Sequence, residues 1–239
     1  KNIDDPSRFV WEPAYHPVSR IVVHHTATAN YPSNPLSVVQ QIYLYHTYSR
    51  GWGDIGYNFL IDHNGTIYEG KAGGDEVYGY HAYTEANAMS IGISLIGEFT
   101  STYPSSAAQN SLIKLMAEKA AFYEFNLKYS SGSLSGWLNS SYTVFGHRDS
   151  YFWCYPGHVY YSNIYVCNSH TGWAANPTAC PGNVLRSLLS SYITPAAQNY
   201  KNSHYAAIKS VASKAAASAN LPHHENLMVV EFNLPTSVS

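Results

Sequence analysis

Apolar positions along this chain fall into three rhythms, and each rhythm predicts a kind of element. Short β-rich runs come first: Arg20 to His25 (RIVVHH), then Tyr57 to His63 and Thr66 to Glu69 on either side of Asn64-Gly65. An Asn-Gly pair between two such runs predicts a hairpin, because both residues accept the positive φ of a tight turn. Ser90 to Gly97 (SIGISLIG) reads as an apolar strand buried on both faces, and Thr143 to Phe145 as a short strand ending at GHRD. Helical spacing is the second rhythm. Val39, Ile42, Tyr43 and His46 share one face of a helix that Asn34-Pro35 starts and Gly51 closes, with His46 on the buried side. A second long helix runs through Ser105 to Phe125, with Leu112, Leu115, Met116, the stem of Lys119 and Phe122 on its apolar face. Val184, Leu185, Leu188 and Leu189 predict a third, started by Pro181 and stopped before Pro195.

The third rhythm is the absence of one. Residues 1–18 have no period and read as an arm laid across the domain, anchored by Trp11 and Pro13. The aromatic run YFWCYPGHVYYSNIYVC, from Tyr151 to Cys167, follows neither template. Strands alternating with helices predict an α/β domain over 19–194. The segment 195–239 differs in kind, with an Ala-rich helix from Asn202 to Asn220 and a strand from Met228 to Leu234. A lone strand is unstable by itself, so this extension either docks on the domain or begins a further module.

Composition narrows the function classes. The chain has 239 residues, 45% of them hydrophobic, so a sizeable core can form. Charged residues are only 12%, the formal net charge is −2 and no basic cluster exists, which argues against nucleic acid or anionic lipid as partner. No run of 18 apolar residues crosses a membrane. Twenty-two Tyr and few Lys suit a secreted protein that meets carbohydrate, whose faces stack on aromatic rings. Three cysteines, Cys154, Cys167 and Cys180, leave an odd one unpaired, metal-bound, or paired with another chain.

Position singles out three of the metal-capable side chains. His24 ends one buried strand, His147 ends another, and Cys180 stands before a Pro-started helix in TACPG. All three fall where a sheet hands over to loops, the usual place for a site in an α/β protein. Two imidazoles and a thiolate would hold one zinc ion with a fourth position open, the arrangement of a catalytic site rather than a closed structural one. The bland alternative makes Cys180 a buried apolar residue or disulfide partner and His147 a turn residue bonded to Asp149. By strand alternation His25 points away from His24, and a hydrogen-bonded core histidine is the reading for it and for His46.

Five segments, IVVHHTA, RGWGDIGYNFLIDHNGTIYEGKAG, GYHAYTEANAMSIGISLIG, GHRD and TACPG, occur in an order that resembles the peptidoglycan recognition protein and N-acetylmuramoyl-L-alanine amidase (type 2) family. The resemblance spans residues 19–194 and implies a central mixed β-sheet flanked by helices on both faces. It implies zinc-dependent hydrolysis of the amide between the lactyl group of N-acetylmuramic acid and L-alanine, with peptidoglycan or muropeptides as partner and a monomer that is secreted or wall-associated. Residue by residue it assigns the metal to His24, His147 and Cys180 and catalytic roles to Tyr57 and Thr178, and it sets His81 near the substrate, in a supporting or a structural role. Arg148 reads as a substrate contact or as a partner that fixes a ligand's tautomer. Family members that bind without cutting commonly lack the cysteine, so Cys180 favours an enzyme over a binding module. The chain departs from the pattern in one place: His147 and Cys180 stand 33 positions apart, so an insertion (151–177) lies beside the metal. Cys154 can pair with Cys167 inside it, leaving Cys180 for zinc and contributing ~3 kcal/mol in the chain-entropy model. Trp153 and Tyr155 on this insertion either wall the substrate groove or pack with its other aromatics to hold the loop folded.

Overall fold

The computed structural model describes residues 13–154 and 172–219, of which Cys154 and 212–219 are described by backbone alone. A five-stranded sheet organises the molecule: β1 (Arg20–His25), β2 (Phe59–Ile61), β3 (Ile67–Glu69), β4 (Ser90–Leu95) and β5 (Val144–Gly146), in the order β3-β2-β4-β1-β5. β1 runs parallel to both β4 and β5, β2 runs parallel to β4, and only the β2-β3 hairpin is antiparallel. The sheet is therefore mixed. Its Asn64-Gly65 turn has Gly65 at φ +86°, as the sequence requires.

Alternation along the strands divides the sheet into two faces. Ile21, Val23, Ile61, Ile91, Ile93, Leu95 and Val144 point one way and form the main core with α3 (Ser106–Phe122). Leu60 and Phe145 point the other way. Leu60 packs beneath α1 (Pro35–Leu44), while Phe145 packs with Ala86 of α2 (Thr84–Asn87) and Trp137 of α4 (Leu134–Leu138). Helices thus cover both faces, and α1 begins as expected, with Asn34 Oδ1 accepting the Ser37 N–H and Pro35 in the first turn.

Two helical expectations are corrected. Phe122 is 41% exposed, because the next residue, Tyr123, takes the inward place and donates its hydroxyl to Asp75. The helix begun by α5 (Asn183–Leu188) does not stop before Pro195. A π-helical turn, Leu189–Ile193, leads directly into α6 (Thr194–Ala219), so Pro195 lies within a continuous helical run. Ile193 and Ala197 lie in the main core, and Lys201 donates its ammonium to Phe125 O and Asn126 Oδ1. The start of the C-terminal extension is therefore tied to the domain, while the expected strand from Met228 to Leu234 lies outside the described residues.

Of the arm, residues from Pro13 are described: Tyr15 bridges to Val77, and Tyr78 N–H donates to Ala14 O. The insertion opens and closes as a two-stranded ribbon, β6 (Tyr151–Cys154) and β7 (Gly172–Ala175), set apart from the main sheet. Tyr155, Tyr160, Tyr161, Tyr165 and Cys167 lie outside the described residues, as does the side chain of Cys154, so the expected disulfide does too. Among the described residues, no helix is long and apolar enough to cross a membrane.

Candidate functional site

His24 enters the site because β1 alternates. Ile21 and Val23 go into the main core, so Val22 and His24 face the opposite side, where His24 is fully buried. His147 follows β5, the strand beside β1, and its ring centroid is 4.6 Å from that of His24. Cys180 closes the group from the loop before α5. Its Sγ accepts the His25 N–H at 3.3 Å and lies 3.6 Å from His24 Nδ1. Gly146, just before His147, has no room for a side chain, since a Cβ there would stand 2.8 Å from the ring of Pro181.

One ligand atom from each of His24, His147 and Cys180 lies within 4.8 Å of the others. Bond lengths of ~2.0–2.3 Å in a tetrahedron place donor atoms about 3.5 Å apart, so the His24–Cys180 separation already suits zinc. His147 Nε2 is buried and has no hydrogen-bonding partner among the described residues, an arrangement that costs stability unless something binds it. Asp149, the alternative partner for His147, is taken instead by Arg186 at 2.8 Å and by the Tyr129 hydroxyl at 2.7 Å. The donor set and its unmet nitrogen therefore fit a zinc ion.

The electrostatics agree. Burial and the neighbouring imidazoles hold His24 well below the ordinary histidine range, and burial brings His147 to about 3. Both are neutral at physiological pH, the form that ligates. Burial pushes the Cys180 thiol up to about 12, so without metal it keeps its proton. Binding of a cation must displace that proton.

Around this centre stand the other expected residues. The Tyr57 ring is 5.2 Å from that of His24, and burial and Cys180 push its phenol above the usual range, so it remains a donor. Thr178 Oγ1 accepts the Cys180 N–H at 3.1 Å and thereby shapes the turn carrying the thiol. His81 Nδ1 is 3.0 Å from His24 Nε2, and the residue is only 5% exposed. Arg148, expected either at the substrate or as a partner of a ligand, donates Nε and Nη1 to Cys180 O and Asn183 Oδ1 and so braces the loop that carries Cys180. Trp153 is 36% exposed and meets Trp173 edge to face across the ribbon, while its backbone N–H donates to the Glu85 carboxylate of α2. His25 Nδ1 accepts the Phe99 N–H and His46 Nδ1 accepts the Gly56 N–H, which makes both hydrogen-bonded core residues as read from the strand and helix periods.

Several residues of the site escaped the sequence reading. SIGISL reads as apolar on both sides, yet Ser90, Gly92 and Ser94 line up on the site face, with Ser94 beside His24 in the register. The signal was present as a period-two alternation of small polar with large apolar residues. Asn176, beyond β7, joins the insertion's two ends by donating Nδ2 to Ser150 O, and nothing local in the sequence marks it.

The family model for N-acetylmuramoyl-L-alanine amidase matches residues 14–183. Peptidoglycan recognition protein 1 of Bos taurus is 35% identical over 150 residues, covering 62% of this chain and 71% of that protein. Peptidoglycan-recognition protein SC2 of Drosophila melanogaster is 37% identical over 134 residues, 55% of this chain and 64% of that protein. Among solved structures, the complex of tracheal cytotoxin with the ectodomains of peptidoglycan recognition proteins LCa and LCx aligns with a TM-score of 0.55 at 25% identity. It covers 80% of this chain and 91% of that one. Peptidoglycan recognition protein LE in complex with tracheal cytotoxin aligns with a TM-score of 0.51 at 27% identity, covering 74% and 83%. A sheet with this topology, a three-ligand centre at its polar face and a match over most of the domain lead to one conclusion: this chain belongs to the family of peptidoglycan recognition proteins and type 2 N-acetylmuramoyl-L-alanine amidases.

Proposed function

We propose that this protein is a zinc-dependent amidase that hydrolyses the bond between the lactyl group of N-acetylmuramic acid and L-alanine in peptidoglycan. The observation that carries the reading is the convergence of His24, His147 and Cys180, three ligands with no fourth among the described residues. A zinc ion bound there supplies Lewis acidity, which activates water and polarises an amide carbonyl. The chain's own residues do the rest. Tyr57, holding its proton, donates to the carbonyl oxygen as negative charge develops on it. Thr178, fixed through the Cys180 N–H, keeps its hydroxyl hydrogen to donate at the same rim. Arg148 and Asn176 hold the two ends of the insertion, so the ligands that flank it keep their spacing.

The insertion is proposed to wall the groove with Trp153 and Tyr155, closed by a Cys154–Cys167 disulfide, in a protein secreted to where its wall substrate lies. Peptide mapping without reductant checks the bridge. The test of the activity is a muropeptide of defined stem incubated with metal-loaded protein, its products identified by mass spectrometry. Lactyl carboxylate and a free L-alanine amine should accumulate, stop with chelator and resume with zinc. A second reading is a binding module, favoured by relatives named as recognition proteins and crystallised with tracheal cytotoxin. Tight muropeptide binding without any cleavage by zinc-loaded protein would select it.

A further inference from the structure

The hydrogen bonds behind the metal centre run in one direction only. Ser90 donates its hydroxyl to Ala86 O at 2.6 Å, so toward His81 Nε2, 3.3 Å away, it presents lone pairs. His81 must then carry its proton on Nε2 and offer Nδ1 as an acceptor. That acceptor faces His24 Nε2 at 3.0 Å, which makes His24 the donor and leaves its Nδ1 as a lone pair. His24 Nδ1 is the atom 3.6 Å from Cys180 Sγ. The orientation of one serine hydroxyl thus decides, two residues away, which nitrogen of His24 is free.

The surroundings hold His81 to this duty. Asn87 Oδ1 accepts the N–H of both His81 and Ala82, and its Nδ2 donates back to Ala82 O, so the loop is pinned on both sides. Glycines make the slot for the ring: a Cβ on Gly92 or Gly79 would stand 2.4 or 2.5 Å from His81 carbons. Buried, with both ring nitrogens engaged, His81 has no polar atom left for substrate.

We propose that His81 is a positioning residue that fixes the tautomer of His24, rather than a substrate contact, and that Ser90 sets the direction of the relay. The inference rests on the zinc reading of the site for its purpose, but its structural content can be tested without metal. Long-range proton–nitrogen NMR on metal-free protein with labelled histidine should find His24 protonated on Nε2 in the wild type and in His81→Asn, whose amide oxygen can replace Nδ1. In His81→Ala it should find a mixture of tautomers. Zinc affinity, read by competition with a chromogenic chelator, should fall ~10–100-fold in His81→Ala and stay near wild type in His81→Asn. Three results would each overturn the proposal: wild-type His24 protonated on Nδ1, undiminished zinc affinity in folded His81→Ala, or equal losses in folded His81→Asn and His81→Ala. If His81→Ala does not fold, the wild-type spectrum and His81→Asn still decide. A wild type that takes up no zinc would defeat the proposed function, while the tautomer would still be read from its spectrum.

Discussion

The two faces of the central sheet are made by the same strands from alternate residues, and they do opposite work. On one, Ile91, Ile93 and Leu95 of β4 are fully buried beside Ile21 and Val23 of β1, under α3 and α6. On the other, the same strands present Ser90, Gly92, Ser94 and His24, equally buried but polar or without side chain. Burial is alike, so exposure does not distinguish them; what differs is what the neighbouring atoms can do. The apolar face supplies folding free energy in proportion to area removed from water. The polar face gives some of that up to hold a directed hydrogen-bond relay and three metal-capable atoms.

The sharpest way to break the comparison is one substitution on each face. His24→Ala should abolish stoichiometric zinc binding and lower amide cleavage by ~10³-fold or more, by loss of the ion's contribution, while calorimetry shows a folded protein. Ile93→Ala should do the reverse, destabilising by ~2–5 kcal/mol in denaturant melts with one zinc still bound per folded chain. Tyr57→Phe stays on the polar face but removes only a donor. Its kcat should drop ~10²–10³-fold, with zinc affinity unchanged in the chelator assay.

Smaller effects sharpen the division further. His25→Ala loses the acceptor for the Phe99 N–H, at a cost of ~1–3 kcal/mol, yet zinc should still bind, because the His25 contact to Cys180 uses backbone N–H. Acid should weaken the metal-free fold through its buried histidines. His46 and His81 are held down to about 4 and 3, against an unfolded value near 6.5, so the unfolded chain binds protons first and stability falls as pH drops below 6.5. Each contributes about 0.7 kcal/mol between pH 7 and 6 by that linkage, visible as a lower Tm of metal-free protein.

Much of this was legible in the residues. A period of two separated His24 from His25, the Asn-Gly turn marked the β2-β3 hairpin, and Asn34-Pro35 marked the start of α1. Strand ends and a Pro-started helix pointed to His147 and Cys180, although their meeting depends on parallel pairing between segments more than 100 positions apart, which no local pattern encodes. The fate of Pro195 was misread because a π-helical turn lets one helix hand over to the next, and periodicity does not signal such a turn. The relay through Ser90 and His81 depends on hydrogen-bond direction, which lies beyond periodicity altogether.

The central claim is that His24, His147 and Cys180 hold a zinc ion that makes this fold an amidase. The most direct measurement is zinc content and amide cleavage on the same preparations of wild type and Cys180→Ser, with muropeptide as substrate and folding checked by circular dichroism. The account predicts one zinc per wild-type chain and chelator-sensitive release of L-alanine-terminated peptide, with both lost in the folded variant. Cleavage that persists in zinc-free Cys180→Ser, or zinc-loaded wild type that binds muropeptide and never cuts it, would contradict it.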